Sequence, residues 1–354
     1  MEDFRINRKK KHLLIDIISI AIAASLCGCS GYEEIADFAR LRIDFFKTFL
    51  ELPNGIPSHD TFNRVFAYMD PKKFESCFRG WVNAILDSPK GQLLCIDGKT
   101  IRGAKTGGIK SPIHMVSAWA SESNMVFGQV KVSEKSNEIT AIPELLKGLL
   151  IKNCIVSIDA MGCQENIAEC IIDGGGDYVL AVKNNQQKLF ENIEDSFRFF
   201  KPMQVNIDQN VDHGRVEKRT CSIITDLGHI EQPEKWKNIK AMVKIESERY
   251  FKIDGKTEKA ERFYIISKLE AASFYQEKIR SHWGIENKLH WSLDVIFQED
   301  AGRKRLENAS QNFSLVNKVA LNILKNDKTN NFSMNRKRRI AAIDLDYLKM
   351  LMLF

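Results

Sequence analysis

Two aspartates each end a short apolar run, Leu94-Cys95-Ile96-Asp97 and Ile155-Val156-Ser157-Ile158-Asp159. Runs of this kind are typical of buried strands, so each carboxylate is expected at a strand tip, on the rim of a sheet where the active sites of α/β proteins lie. Two carboxylates side by side repel each other unless a cation lies between them, and oxygen ligands suit Mg²⁺ or Mn²⁺. The pair therefore predicts a divalent metal site.

A third acid is predicted from helical periodicity in the segment 274–293. At 100° per residue, one stripe of this helix carries Glu286 on the side expected to face the sheet. The other members of that stripe are Tyr275, Ile279, His282, Trp283, His290 and Leu293. A carboxylate buried there requires a cation, a metal or a proton, because an unpaired buried charge is costly. With Asp97 and Asp159, Glu286 would complete a three-carboxylate site.

Other interpretations of these acids remain open. Glu286 could form a buried ion pair, and three side chains spaced by four on the helix could instead bind zinc. These three are His282, Glu286 and His290. Rival third acids follow on the same segment, and Asp300 is the most plausible of them. The full set of rivals is Asp294, Glu299 and Asp300.

Four segments resemble the H-repeat-associated family of DDE insertion-sequence transposases. The run Ile96-Asp97-Gly98-Lys99-Thr100-Ile101-Arg102-Gly103 resembles the family's first-Asp motif, and Ile158-Asp159-Ala160-Met161-Gly162-Cys163-Gln164 its second. His282-Trp283-Gly284-Ile285-Glu286-Asn287 resembles the Glu motif. Leu52-Pro53-Asn54-Gly55-Ile56-Pro57-Ser58-His59-Asp60-Thr61-Phe62 is similar to a segment of the family's helical N-terminal region. The likeness covers nearly the whole chain in the right order.

The resemblance implies a ribonuclease-H-like mixed-sheet core with a β-rich insertion before the Glu helix, and cut-and-paste chemistry on the ends of a mobile element. Many members of the wider superfamily carry a Tyr and an Arg before the Glu and a Lys after it. Here those places hold Ile279, His282 and Leu293. The contacts to the DNA end must therefore differ from that pattern.

Several basic side chains near the acids are candidates for DNA contact, because Lys and Arg neutralise backbone phosphates. They are Lys99, Arg102, Lys183, Arg280 and Lys288. Ordinary surface charge explains each of them equally well. His213-Gly214-Arg215 is either a DNA contact or a simple turn. Trp283 is expected in the core, whereas Trp291 is open to stacking on an unpaired base.

The pattern of apolar residues divides the chain into three parts. Residues 1–88 have helical periodicity and form a possible DNA-binding region, although a small helical bundle without that role would look the same. Residues 89–325 read as an α/β catalytic domain with a β-rich insertion at about 184–270. Residues 326–354 read as a basic C-terminal tail.

Composition is that of an ordinary globular protein, with 354 residues, 44% hydrophobic and a net charge of +6. Eight scattered cysteines show neither disulfide nor zinc spacing, which favours free thiols in a reducing compartment. The apolar run Leu13–Leu26 follows basic residues like a signal peptide, but Asp16 interrupts it and it is too short to span a bilayer. We therefore expect a core helix at this position. The protein as a whole is expected to be bacterial, cytoplasmic and nucleoid-associated.

The function expected from the sequence is metal-dependent cleavage of DNA and transfer of its 3′-hydroxyl to a target. Double-stranded DNA would be the partner and a homodimer the working form, since two element ends must be held together. One alternative is a nuclease on the same core that only hydrolyses DNA. Another is a DNA-binding protein that has lost catalysis and serves as a regulator or remnant.

Overall fold

The computed structural model describes residues 2–5, 10–85, 91–104, 112–133, 137–212, 214–253 and 255–353. Its N-terminal region is helical, as predicted. The helices are α1 (Leu14–Leu26), α2 (Tyr32–Leu41), α3 (Ile43–Phe46), α4 (His59–Tyr68) and α5 (Pro71–Ile85). Arg42 separates α2 from α3. Ser58 caps α4, because its hydroxyl accepts the Thr61 N–H.

Helix α1 is a core helix, which explains its unusually apolar sequence. Ile17 and Ile20 are fully buried, and the helix packs against the long C-terminal helix α10 (Ala309–Asn326). Asp16 is buried too, and its carboxylate accepts the backbone N–H of Leu52 at 3.0 Å. The charge that interrupts the apolar run therefore fixes the loop before α4. None of the helices in the described ranges is long and apolar enough to cross a membrane.

One mixed sheet of nine strands runs through the molecule in the order β3-β2-β1-β4-β5-β9-β8-β7-β6. Its first five strands are β1 (Leu93–Ile101), β2 (Ile113–Ala120), β3 (Met125–Lys131), β4 (Ile155–Ile158) and β5 (Asp177–Val182). β1, β2 and β3 are antiparallel neighbours, whereas β4 is parallel to both β1 and β5. Helices α6 (Glu138–Lys147) and α7 (Glu165–Asp173) connect the parallel strands. The predicted mixed α/β class is confirmed.

The segment predicted as a β-rich insertion begins with a helix, α8 (Gln187–Phe199), which the sequence analysis missed. Four strands follow, β6 (Gln204–Asp212), β7 (Arg215–Ile224), β8 (Ala241–Phe251) and β9 (Thr257–Ile266). β9 pairs with β5, so these strands extend the central sheet and do not form a separate layer.

The helix predicted over 274–293 is regular only in its first part, α9 (Ala272–His282). Two π-helical segments follow, Ile285–His290 and Ser292–Ile296. Their hydrogen bonds span five residues, as from the Trp291 N–H to the Glu286 carbonyl. π-helical turns are rare and frequently lie at functional sites. They also invalidate the 100° spacing on which the inward stripe was predicted.

The predicted basic tail folds into two helices, α11 (Met334–Ile343) and α12 (Leu345–Met352). Lys337 and Arg338 are buried, so these two basic residues of the predicted tail are not solvated charges. Lys337 is paired with Asp327, and Arg338 donates to the Ser25 carbonyl. These two cations therefore hold the C-terminal helices against the rest of the protein.

Asn312 ties α10 to the N-terminal helices. Its buried side-chain amide donates to the carbonyls of Phe66 and Met69, at 2.8 and 2.9 Å, where α4 ends. Asn312→Leu should lower the free energy of unfolding by about 2–4 kcal/mol, because two buried carbonyls lose their donor. Urea denaturation measures the change. Asn326→Leu is the control, since its amide donates within its own helix, to Asn322; equal losses for the two variants would contradict the assignment.

Candidate active site

Asp97 and Asp159 lie on neighbouring parallel strands at matching positions. Ile96 of β1 is level with Ile158 of β4, so each aspartate is the next residue along its own strand. Adjacent strands lie about 4.8 Å apart, so the two carboxylates start from neighbouring points. The structure corrects one detail: Asp97 is not at a strand tip, because β1 continues to Ile101 and pairs with β2 throughout. Only Asp159 follows the end of its strand.

Asp159 is fixed by the turn that it begins. Its carboxylate accepts the backbone N–H groups of Met161 and Gly162, at 3.1 and 3.4 Å. Burial and the nearby Glu138 carboxylate raise the pKa of Asp159, while these two N–H groups and Lys183 oppose the rise. Lys183 therefore lies within electrostatic reach of Asp159, as its position after β5 predicted.

The segment that carries Glu286 lies along one face of β1. The Cys95 thiol contacts the Ser281 carbonyl at 4.0 Å, and the His290 Nδ1 lies 3.6 Å from the Asp97 carboxylate. Further along, the Lys99 ammonium is 2.7 Å from Asp294. Three alternate residues of β1 thus contact the segment at three points, in the same order along both.

Glu286 does not point into the protein, contrary to the prediction from the helical wheel. Ile285 and Leu289 are the buried residues of the first π-helical segment, whereas Glu286 is exposed. Trp283, predicted in the core, is 39% exposed. The register of the π-helical turns explains the position of Glu286, whereas Trp283 precedes these turns, at the end of α9. Glu286 lies on the open side of the segment, between its contacts with Cys95 and with Asp97.

The Asp97 carboxylate is in an environment that disfavours its charge. Burial raises its pKa to about 7, the Gly98 N–H opposes this, and repulsion by Asp159, Glu138 and Glu286 adds to it. Glu286 is therefore near enough to act on Asp97 electrostatically. His290 does not compensate, because burial and nearby lysines lower its pKa to about 3 and leave the ring neutral.

Glu138, at the start of α6, is an acid that sequence reasoning missed. Its carboxylate lies 2.5 Å from His114 Nε2, and it raises the pKa of both Asp97 and Asp159. Gly98 makes room for it, since a Cβ there would collide with Glu138 and His114. The Asp-Gly pair in the first motif was the available signal: a glycine directly after a catalytic candidate marks a close approach.

Lys99 was a candidate phosphate contact, but its ammonium is 9% exposed and lies among three carboxylates. The three are Asp294 at 2.7 Å, Glu299 at 3.0 Å and Asp300 at 3.3 Å. Burial opposes the charge of Lys99, yet these acids outweigh it and raise its pKa. Lys99 is thus not free for phosphate, and the rival third acids are already engaged by Lys99.

The other basic candidates lie at the surface. Arg102 lies 3.7 Å from Asp300, Arg280 lies 3.7 Å from Asp208, and the Lys288 ammonium donates to the Asn124 side chain at 3.1 Å. Lys183 is exposed beside the aspartates. His213 of the proposed insertion contact lies outside the described residues.

The carboxylates fit a divalent metal in part. Asp97 and Asp159 offer hard oxygen ligands, and the raised pKa of Asp97 shows negative charge that a cation would relieve. Across the described ranges, however, no three His, Cys, Asp or Glu side chains are grouped closely enough to hold a metal ion. Asp97, Asp159 and Glu286 therefore do not form such a group in this structure.

Comparison with known proteins places the chain in a family. The profile described as "Transposase DDE domain" matches residues 88–323, and one described as "DDE_Tnp_1-associated" matches residues 1–82. The Escherichia coli K12 protein named "H repeat-associated putative transposase YhhI" is 40% identical over 98% of this chain and 94% of its own length. "Putative transposase YncI" of E. coli O157:H7 is 40% identical over 98% of this chain and 91% of its own.

Fold, acids and comparisons define one class, the transposases with a DDE domain. Within that class, the chain belongs to the H-repeat-associated DDE transposase family.

The pKa of Asp97 leads to a test in solution. A carboxyl group whose pKa is higher in the folded than in the unfolded chain destabilises the fold once it ionises. Asp97→Asn should therefore leave the melting temperature unchanged below about pH 4 and raise it increasingly up to about pH 7, with a plateau above. Thermal unfolding across this range measures the difference. Added Mg²⁺ should make this difference in melting temperature smaller, because it stabilises only the wild type.

Asp44→Asn, at an exposed position of α3, is the control for loss of an acidic side chain. A stability gain for Asp97→Asn that is independent of pH would contradict the assignment of Asp97.

Proposed function

We propose that this protein is a DNA transposase that cleaves strands at the ends of an insertion sequence and joins the freed 3′-hydroxyls to target DNA. The observation that carries the proposal is the placement of Asp97 and Asp159 at matching positions of parallel neighbours, with the Glu286 segment laid along the same strand. Family membership makes DNA the expected substrate.

The catalytic core is proposed to be ribonuclease-H-like. Support comes from the strand order β3-β2-β1-β4-β5, with an antiparallel β1-β2-β3 unit followed by β4 and β5 parallel to β1. The first acid lies on the central strand of this group and the second follows its parallel neighbour. The strands β6–β9 then form an insertion that extends the sheet before the Glu286 segment.

Asp97, Asp159 and Glu286 are proposed to hold Mg²⁺ or Mn²⁺. When bound, two such ions polarise the attacking oxygen and stabilise the leaving oxygen of an in-line displacement at phosphorus. Asp97 and Asp159 are the ligands fixed by the sheet. Glu286 joins them when its exposed π-helical turn moves towards β1, and Lys99 keeps the three rival acids out of the site.

The proposed reaction has two displacements. In the first, a water oxygen attacks the phosphorus at the element end, the 3′-oxygen leaves with a proton, and the 5′-phosphate remains on the other product. In the second, this 3′-hydroxyl attacks a phosphorus of the target, and the target's own 3′-oxygen leaves. Phosphodiester bonds are broken and formed in equal number in the second step, so it requires no energy source.

Phosphate contacts close to the acids are assigned to the exposed cations Arg102, Lys183, Arg280 and Lys288. Lys183 is the foremost of these, because its charge already reaches Asp159. A homodimer is proposed as the working form, since joining requires two element ends in one complex.

The test is Mg²⁺-dependent cleavage and joining of DNA that carries the flanking element ends. Wild type should yield joined products, and Asp97→Ala, Asp159→Ala and Glu286→Ala should each lower their yield by about 10²–10³-fold, the range seen for loss of one electrostatic contact in catalysis. Glu144→Ala, which removes a surface acid of α6 paired with Lys72, should retain activity.

The other outcomes select other functions. Cleavage without joining in the wild type indicates a hydrolytic nuclease. Metal-independent DNA binding with no cleavage indicates a regulator that has lost catalysis. Activity that survives Glu286→Ala would mean that a different acid is the third ligand.

A further inference from the structure

A cavity of 330 Å³ lies between α9 and the strands β7, β8 and β9. Its walls carry the guanidinium groups of four arginines, Arg219, Arg249, Arg262 and Arg280. The side chains of Trp283 and Asn287 complete the wall on the side of Glu286. No sequence motif predicts this cavity, because its four arginines lie on four different elements.

Positive charge in this cavity exceeds the negative charge that faces it. Among the described residues, the carboxylates paired with the four arginines are Glu217, which bonds both Arg219 and Arg249, and Asp208, 3.7 Å from Arg280. The Arg262 guanidinium forms neither a hydrogen bond nor an ion pair with the described residues, and instead lies over the Trp283 ring at 5.2 Å. The four arginines therefore present more positive charge to the cavity than these two carboxylates compensate.

Arg219 shows most directly that a partner belongs there. Its Nη1 is buried and has no hydrogen-bond partner among the described residues. A buried donor without an acceptor costs about 1–3 kcal/mol. Burial lowers the pKa of this guanidinium, and the charges of Arg280 and Arg249 oppose the attraction of Glu217. An anion in the cavity would satisfy the donor and relieve the repulsion together.

Phosphate fits these groups better than a carboxylate of the protein would. Guanidinium forks bind phosphate oxygens in pairs, and several arginines around one space suit a group with several equivalent oxygens. Asn287, the residue directly after Glu286, forms part of the cavity wall. A DNA strand that enters the active site along α9 would therefore pass close to the cavity.

We propose that this arginine cavity binds a backbone phosphate of the DNA strand that enters the active site, a few nucleotides from the bond that is cut. The inference rests on the proposed function for its ligand. It differs from the assigned phosphate contacts in that Arg219, Arg249 and Arg262 come from the inserted strands. The insertion thus becomes part of the DNA-binding surface.

The experiment measures DNA binding without chemistry. Every protein carries Asp97→Ala and is kept in EDTA, and fluorescence anisotropy reports binding of a duplex element end over a series of salt concentrations. Arg262→Gln should weaken binding at least tenfold and reduce the slope of log K against log salt by about 1, the value for one lost phosphate contact. Arg262→Lys keeps the positive charge but loses the forked guanidinium. Its DNA affinity should lie between those of the protein with Arg262 and of Arg262→Gln.

Lys218→Gln is the matched control, because Lys218 is the exposed neighbour of Arg219 on β7 and points to the other face of the strand. It should leave affinity and slope unchanged. Arg219→Gln is the second variant; since it leaves Glu217 with one partner fewer, its folding is checked by thermal unfolding. If both arginine variants bind DNA as tightly as the protein that keeps all four arginines, and with the same salt slope, the proposal is overturned.

A titration with inorganic phosphate separates a DNA site from a site for a free anion. Stabilisation of the wild type by inorganic phosphate, abolished by Arg262→Gln while DNA binding is unaffected, would mean a free-anion site and overturn the DNA assignment. If the wild type binds end DNA but does not join it, the proposed function is contradicted. The salt slopes of the arginine variants still test this inference independently. Absence of any DNA binding overturns both.

Discussion

The buried ammonium of Lys99 determines where the segment that carries Glu286 lies. It is held at 2.7 to 3.3 Å from three carboxylates that come from residues 294–300. A buried charge of either sign is strongly unfavourable without its partner, so strand β1 and this segment can pack only with these groups together. Since Lys99 and Asp97 share one face of β1, the same contact places His290 over Asp97. The geometry of the candidate active site follows from this ion cluster.

The two ends of that face differ in how their charge is balanced. Around Lys99, the acids meet a buried cation, and Asp300 also accepts the backbone N–H of Arg102. Around Asp97, the nearby basic ring is His290, which burial keeps neutral, and burial together with three other carboxylates raises the aspartate's pKa. Among the described residues, the Asp97 end of this face therefore has no charged cation paired with its acid, in contrast to the Lys99 end. A divalent cation has its strongest electrostatic reason to bind there, beside Asp97 and Asp159.

Short-range patterns in the sequence predicted the helices and strands that depend on residues close together in the chain. The helical N-terminal region and the buried strand before Asp159 lie where helical periodicity and an apolar run placed them. Interactions between distant residues were beyond such patterns. Asp97 was expected at a strand tip because apolar residues stop there, but pairing with β2 carries the strand on to Ile101. Lys99 looked like a surface charge because its acidic partners lie about two hundred residues away. The arginine cavity has no signature in the sequence, since each element contributes one side chain or two.

Glu286 is the residue at which a regular helix and the structure differ most, and the difference links the active site to the arginine cavity. In a regular helix its side chain would have joined the inward stripe of α9. With hydrogen bonds that span five residues, Ile285 and Leu289 occupy the buried positions, and Glu286 lies on the open edge. The same segment presents Asn287 to the arginine cavity. A strand held by those arginines would therefore lie against the segment that carries Glu286. Binding energy from the phosphate contacts could then favour the movement of Glu286 towards Asp97, because only interactions that differ between two states shift their balance.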